Sequence, residues 1–445
     1  MTKKVAVVTL GCPKNQVDSE IMAGFLAQNY ALTEEPEAAD IIVVNTCTFI
    51  DSAKEESIET IFEMAGYKQS AKCKTLIAAG CLAQRYGPEL MQEIPELDGV
   101  IGTGNVDEIT TIVQAAGEKR TNLIKIGPPN FLHHELMPRK RSTPNYLAYV
   151  KVAEGCDNFC TYCVIPHVRG HFRSRPQESV IREVREMAAQ GVKEIMVMAQ
   201  DTTRYGQDLE GKLVLPQLLR QLAQIEGIEW IRLMYCYPER FTDELIETMR
   251  QEPKICKYID LPLQHADNKI LREMNRQGTI ERAEALIKKL RSAMPELTLR
   301  TTMITGFPGE TEQEFKALVE FVQRVQFDRL GVFAYSQEEN TPAGQREDQI
   351  PLEERERRRD HLMQIQQEIS RQRQQRWVNQ MITVLLEQEL PDGRWIGRTE
   401  GDAPEIDGQV YINKTSAKIS LQVGDMIKVR ILEADSYDLI GEVAS

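Results

Sequence analysis

Six short apolar runs, separated by helix-length stretches, fill the middle of this chain, and few folds accept that pattern. The runs are Leu147–Ala153, Glu194–Ala199, Trp230–Tyr235, Tyr258–Leu261, Leu297–Met303 and Leu330–Tyr335. Helical candidates stand between them at Val180–Gln190, Leu215–Gln224, Thr242–Gln251, Thr279–Met294 and Thr311–Val325. Short apolar runs with β-branched residues suit strands covered on both faces. Repeated βα units bring their loops to one end, where sites are built. The expectation for residues 142–374 is a partial TIM-like (β/α)6 barrel.

The flanks read differently. Residues 1–117 carry the runs Val5–Leu10, Ile41–Val44 and Leu76–Ala79, with helical stretches such as Asp18–Asn29 and Ala53–Tyr67. That is a second α/β unit with a parallel sheet. A Pro-rich, basic linker around Met137–Pro144 separates the two units. The charge-dense stretch Leu352–Arg376 mixes acids, arginines and glutamines, and reads as a solvent-facing connecting helix. Residues 375–445 hold five short strand-like runs, Ile382–Leu386, Trp395–Thr399, Val410–Ile412, Met426–Glu433 and Leu439–Val443, separated by turn residues. They suggest a small all-β, OB-like barrel. The fold class is α/β, in three domains.

Composition limits the function. The 445 residues carry a net charge of −13, and 42% are apolar. No run of about 18 apolar residues is present, so no membrane span is expected. The opening MTKKVAVVTLGC has too short an apolar stretch for a signal peptide. A cytoplasmic protein is expected. Nine cysteines, an odd number, in a reducing compartment argue for metal or catalytic use over a disulfide framework. The acidic balance disfavours a protein that grips nucleic acid mainly through phosphates. Nucleic-acid contact stays open as a secondary feature, through a local basic groove.

The most specific motif follows the first barrel run: EGCDNFCTYCVIPHVRGHFRSRP, with Cys156, Cys160 and Cys163 spaced C-x3-C-x2-C. Three thiolates on one loop can hold three irons of a four-iron cluster, leaving the fourth open. On spacing alone, a structural zinc loop with His167 or His171 as fourth ligand stays open. A second set is dispersed. Cys12 in VVTLGC, Cys47 in VVNTC and Cys81 in LIAAGC each follow an apolar run. In a parallel sheet their thiols would meet at the carboxyl edge, where such sheets bind ligands. A lone buried cysteine often only fills a core; three at equivalent strand ends suggest a second cluster site. Cys73, Cys236 and Cys256 have no such setting and are set aside.

The C-x3-C-x2-C motif after a barrel's first strand resembles the radical S-adenosylmethionine superfamily. That resemblance implies a 4Fe-4S cluster whose open iron chelates S-adenosylmethionine and whose electron cleaves it to a 5′-deoxyadenosyl radical. Tyr162 is expected to pack near the cluster. Gln200, Asp201 and Gln264, polar residues at strand ends, are candidates for gripping S-adenosylmethionine. His265 and the Gly-rich loop Thr305–Thr311 are weaker ones: a lone His is more often structural, and the loop lacks P-loop spacing.

Taken with that motif, TLGCPKNQVDSE at Thr9–Glu20, NTC at Asn45–Cys47 and AAGC at Ala78–Cys81 resemble the methylthiotransferase family. Residues 375–445 resemble its TRAM domain. The resemblance implies two 4Fe-4S clusters and two uses of S-adenosylmethionine, one for methyl transfer and one for radical formation. GCPKN at Gly11–Asn15, AQDTTRYG at Ala199–Gly206, DLPLQHAD at Asp260–Asp267 and DAPEIDG at Asp402–Gly408 are similar to the branch acting on ribosomal protein. That branch implies methylthiolation of an aspartate β-carbon on small-subunit ribosomal protein twelve, free or within the ribosome, with an electron donor and a sulfur source as further partners. The TRAM-like region agrees in charge. It carries seven Lys or Arg against twelve Asp or Glu, a net of −5, which suits a basic protein better than RNA. The alternatives are a tRNA adenosine methylthiotransferase and a non-catalytic iron–sulfur protein that binds RNA or the ribosome.

Overall fold

A computed structural model describes residues 2–118, 123–413 and 420–444. Met1, Ser445 and the segment 414–419, all within the expected outer domains, lie outside the described residues.

The first unit is a parallel six-stranded sheet. Its strands are β1 (Lys4–Thr9), β2 (Ala31–Leu32), β3 (Ile41–Thr46), β4 (Thr75–Ala79), β5 (Gly99–Ile101) and β6 (Leu123–Lys125), in the order β2-β1-β3-β4-β5-β6. The helices are α1 (Pro13–Leu26), α2 (Asp51–Ser70), α3 (Gly80–Glu93) and α4 (Ile109–Gly117). Every residue of β3 and β4 is buried, as continuous apolar runs require. The chain order turns between β1 and β3, so the loops leaving these two strands diverge and open a crevice at their carboxyl ends.

The second unit begins with β7 (Leu147–Lys151). A two-stranded ribbon, β8 (Ala153–Glu154) and β9 (Arg173–Ser174), brackets the three-cysteine loop and the short helix α5 (Ile165–Arg169). Then follow α6 (Gln177–Ala189), β10 (Glu194–Met198), α7 (Gln207–Glu210), α8 (Leu215–Ala223), β11 (Trp230–Leu233), α9 (Asp243–Gln251) and β12 (Ile255–Asp260). The unit ends with α10 (Asn268–Glu273), α11 (Ile280–Ala293), β13 (Thr298–Thr305), α12 (Glu312–Val325) and β14 (Arg329–Ala334). Six strands pair in parallel in the order β14-β13-β12-β11-β10-β7, an open barrel with six strands as the βα rhythm requires. Helix α12 starts on a capping box, Thr311 with Glu314, which fixes the chain as it leaves the β13 loop.

Helix α13 (Leu352–Gln374) corrects the expectation of a solvent-facing connector. Leu362 and Ile369 are buried in the barrel core. The Arg355 guanidinium donates to Tyr335 O, and Arg358 pairs with the buried Glu310 at 2.7 Å. Long basic side chains bury their stems while their heads find carbonyls, so a charge-rich stretch still covers an apolar wall.

Strands β15 (Met381–Glu389), β16 (Trp395–Thr399), β17 (Val410–Ile412), β18 (Met426–Ala434) and β19 (Leu439–Val443) close a barrel in the order β15-β16-β17-β19-β18. This barrel caps the amino end of the central unit, away from the cysteine loop. Arg398 pairs with Glu194 at 2.7 Å, Arg329 with Asp402 at 2.5 Å, and the Tyr258 hydroxyl donates to Asp407 at 2.7 Å. Part of the acidic excess counted for residues 375–445 is therefore spent inside this joint. The charge argument for a basic partner is weaker than the raw count suggests.

Candidate functional site

The register of the first sheet sets the dispersed cysteines. Thr9 pairs with Asn45, and Asn45 with Ala79, so β1, β3 and β4 end in one row. Cys12, Cys47 and Cys81 follow within a few residues, on both sides of the β1/β3 crevice. Cys12 immediately precedes the first turn of α1, and Cys81 lies in the first turn of α3. The approach demands glycine. Gly11 has φ +84, and a Cβ there would lie 2.7 Å from Cys47 Cβ and 2.9 Å from its Sγ. All three cysteines are free.

Asn15, fully buried, ties this corner together. Its amide donates to Leu10 O at 2.9 Å and to Thr46 O at 3.0 Å, holding the chain leaving β1 against the end of β3. Its Oδ1 accepts from the Arg169 guanidinium at 2.6 Å and from the Cys81 thiol at 3.5 Å. Arg169 belongs to α5, just beyond the second cysteine set, so one side chain links the two. It also pairs with Asp18 at 2.9 Å and Glu154 at 3.1 Å, and Lys151 binds the same two carboxylates at 2.5 and 2.6 Å. Burial pushes the Glu154 carboxyl up, but Lys151 and Arg169 outweigh it and hold the group well below the ordinary range. Arg139, which pairs with Glu20 at 2.6 Å and Glu183 at 2.8 Å, adds a further strut between the units. None of these residues was singled out individually from the sequence, although Asn15 lies within GCPKN and Arg169 within the long cysteine motif.

Cys156, Cys160 and Cys163 occupy the loop at the carboxyl end of the barrel and are partly exposed and free. Cys163 N donates to Cys160 O in a tight turn, and Cys156 N donates to Gly170 O. Burial pushes the Cys156 thiol up to about 11 and, outweighing the pull of Arg169, the Cys81 thiol up to about 12. Tyr162 lies against Cys160 within the motif. Arg276, stacked 3.9 Å from the Tyr237 ring, adds a cation close to Cys160. His171 turns away to Asp157 at 2.8 Å, and His167 is exposed, so neither joins the thiols.

The polar candidates divide. Gln200 donates to Glu154 at 2.7 Å, while its Oε1 is buried without a partner. Asp201 is committed to Asn158, Thr203 and Arg240, and through Asn158 it braces the cysteine loop. Gln264 has φ +72, and its main chain is pinned between Thr302 O and Ile304 N. His265 is buried, 3.3 Å from Glu310, and its Nδ1 caps Asp267 N, which makes it structural. Gly306 sits against Arg355 of α13, so the Gly-rich loop serves packing at that point.

A single ion needs a tight ring of ligands, and among the described residues no three His, Cys, Asp or Glu side chains form one. A four-iron cluster takes its thiolates on separate irons, and each cysteine set offers three free thiols for that purpose.

Comparison with known proteins agrees. The Radical SAM superfamily matches residues 150–322, the Uncharacterized protein family UPF0004 residues 4–102, and the TRAM domain residues 378–444. "Ribosomal protein uS12 methylthiotransferase RimO" of Desulfitobacterium hafniense is 62% identical over 443 residues, covering 100% of this chain and 99% of that one. The protein of the same name from Desulforamulus reducens is 51% identical, with 99% of both chains covered. Among solved structures, the radical S-adenosylmethionine methyltransferase TsrM from Kitasatospora setae has a TM-score of 0.57 at 15% identity, over 77% of each chain. The cobalamin-dependent radical enzyme OxsB has a TM-score of 0.51 at 12% identity, over 82% of this chain and 56% of that one. These last two show the fold alone. Full-length likeness at these identities, over a barrel whose cysteine loop faces a row of cysteine-bearing strand ends, means that the chain belongs to the RimO family of radical S-adenosylmethionine methylthiotransferases, enzymes that use S-adenosylmethionine and 4Fe-4S iron–sulfur chemistry.

Proposed function

We propose that this enzyme inserts a methylthio group at the β-carbon of one aspartate of ribosomal protein uS12. The observation that carries the reading is Arg169. It reaches from the helix after Cys163 into the corner of Cys12, Cys47 and Cys81, so both cysteine sets border one interface. Two chemistries side by side are what a methylthio transfer to an unactivated carbon needs. Cys156, Cys160 and Cys163 would hold one 4Fe-4S cluster, and Cys12, Cys47 and Cys81 a second. When bound, the first would supply the electron for reductive cleavage of S-adenosylmethionine, and the second would offer a site for the sulfur that is transferred.

The chain's own residues have definable tasks. The free Gln200 Oε1 is an acceptor that an amino group of S-adenosylmethionine would satisfy. Asp201, through Asn158, keeps the cysteine loop in place. The Lys151–Asp18–Glu154–Arg169 network closes the interface against water and keeps the two cysteine-bearing edges in register. Tyr162 shields Cys160. No described helix is long and apolar enough to cross a membrane, which is compatible with work at the ribosome in the cytoplasm. An electron donor and a sulfur source complete the partners. The TRAM barrel sits at the far end of the central unit, where it could touch ribosomal RNA without taking part in the chemistry.

The test is peptide mass spectrometry of uS12 from a strain lacking this gene, with and without the gene restored. One aspartate-containing peptide should gain a methylthio group in place of hydrogen only on restoration. An unchanged peptide, with a changed tRNA nucleoside instead, would favour the tRNA alternative. No change in either would favour the non-catalytic one.

A further inference from the structure

Lys14 stands where elementary electrostatics would not put a cation. It follows Cys12 through Pro13, in the first turn of α1, where the helix dipole repels positive charge. It is only 6% exposed, and no hydrogen bond or ion pair reaches its ammonium among the described residues. The neighbouring carboxylates are already taken. Asp18 and Glu154 are shared by Lys151 and Arg169, and Asp260 is paired with Arg300 at 2.8 Å. Its one close partner is the face of Tyr235, whose ring centroid lies 3.0 Å from Nζ.

Tyr235 is itself held at a cost. It stands just after β11 in the left-handed region, at φ +58, which a side chain with a Cβ rarely adopts. Asp260 accepts from its N–H at 3.0 Å, and its carbonyl accepts from Thr202 N, so the surrounding structure enforces the conformation. A largely buried cation that faces the Cys12 thiol but has no carboxylate of its own, resting on a strained aromatic beside the interface, can take a further anion.

We propose that Lys14 is the substrate-recognition residue of the reaction: its ammonium, seated on Tyr235, receives the side-chain carboxylate of the aspartate to be modified. This rests on the reading that an aspartate of uS12 is the substrate. The chemistry fits the placement. The β-carbon is bonded directly to the carboxyl carbon, so a carboxylate anchored two residues from Cys12 brings that carbon beside the first cysteine set. The same contact selects aspartate over asparagine, which cannot answer a buried charge.

The test uses the full chain loaded anaerobically with iron and sulfide, and full-length uS12 with either Asp or Asn at the modified position. Binding of both forms is measured for the wild type, Lys14→Met and Lys14→Arg, and iron is counted on each. The wild type should prefer the Asp form by about tenfold or more. Lys14→Met should bring the ratio close to one, and Lys14→Arg should restore part of it. A Lys14→Met protein that keeps the preference overturns the proposal. So does one that loses the iron of the Cys12 set, because Lys14 would then serve the cluster. A wild type that modifies uS12 yet binds both forms equally also overturns it, while leaving the substrate reading intact. A wild type that neither binds nor modifies uS12 overturns both.

Discussion

Removing the Asn15 side chain should open the corner on which the first cysteine set is built. Asn15→Ala leaves the half-buried Leu10 carbonyl and the buried Thr46 carbonyl each short of a donor, and takes from Arg169 an acceptor at 2.6 Å. Two neutral bonds at about 1 kcal/mol each, and one to a charged group at about 1.5–3 kcal/mol, give a loss of about 3.5–5 kcal/mol. In a chain of three domains this is best read locally, by amide hydrogen exchange of the segments that follow β1, β3 and β4. Their opening free energy should fall by about that amount, while the five-stranded C-terminal barrel keeps its protection. Asn15→Asp should fare no better. Its carboxylate would gain charge against Arg169 but face two carbonyl oxygens where the amide donated. Protection in these segments changed by less than about 1 kcal/mol would refute the claim that Asn15 holds the corner.

Gly11→Ala should reduce iron at the Cys12 set and spare the Cys156 set, because the added Cβ collides with Cys47 and φ +84 disfavours it; iron counting on chains lacking one set or the other checks this. Arg169→Met leaves Asp18 and Glu154 with Lys151 alone, and an uncompensated buried charge should cost about 3–5 kcal/mol, seen as a lower melting temperature that a less disruptive Phe159→Leu change on the exposed loop does not share. His133 gives a pH signature. Burial and Arg175 pull its folded value down to about 4 from an ordinary 6.5, so the unfolded chain binds more protons between these values. Its contribution is complete above about pH 6.5 and is lost as pH falls towards about 4, by about 3 kcal/mol. His133→Asn should flatten the fall of melting temperature across that window, and equal slopes would refute the assignment.

The six paired strands of the barrel and the five long helices between them are legible because each apolar run is short and these helices carry a stripe, whereas the β8/β9 ribbon and the short helices α5, α7 and α10 leave no such pattern. The expected strand Trp230–Tyr235 ends as β11 at Leu233 because Tyr235 turns left-handed under Asp260, a long-range effect no local pattern records. Strands β2, β5 and β6 are two or three residues long, too short for an apolar run to mark them. Helix α13 hides its inner face from the sequence because its buried positions are filled mostly by arginine and glutamine stems, with few apolar residues to mark that face. The cysteine pattern was readable because strand-end position is local, and a parallel register then aligns Thr9, Asn45 and Ala79. The tie through Asn15 and Arg169 was not. It joins side chains 154 positions apart, and nothing in the spacing of either motif points to the other.

Iron per chain tests the central claim, that two separate cysteine sets each carry a cluster at one interface. The reconstituted wild type should hold about eight irons. Replacing Cys12, Cys47 and Cys81 together by Ala should leave about four, and replacing Cys156, Cys160 and Cys163 should likewise leave about four. A wild type that saturates at about four irons and is indifferent to the loss of the first three cysteines would contradict the account.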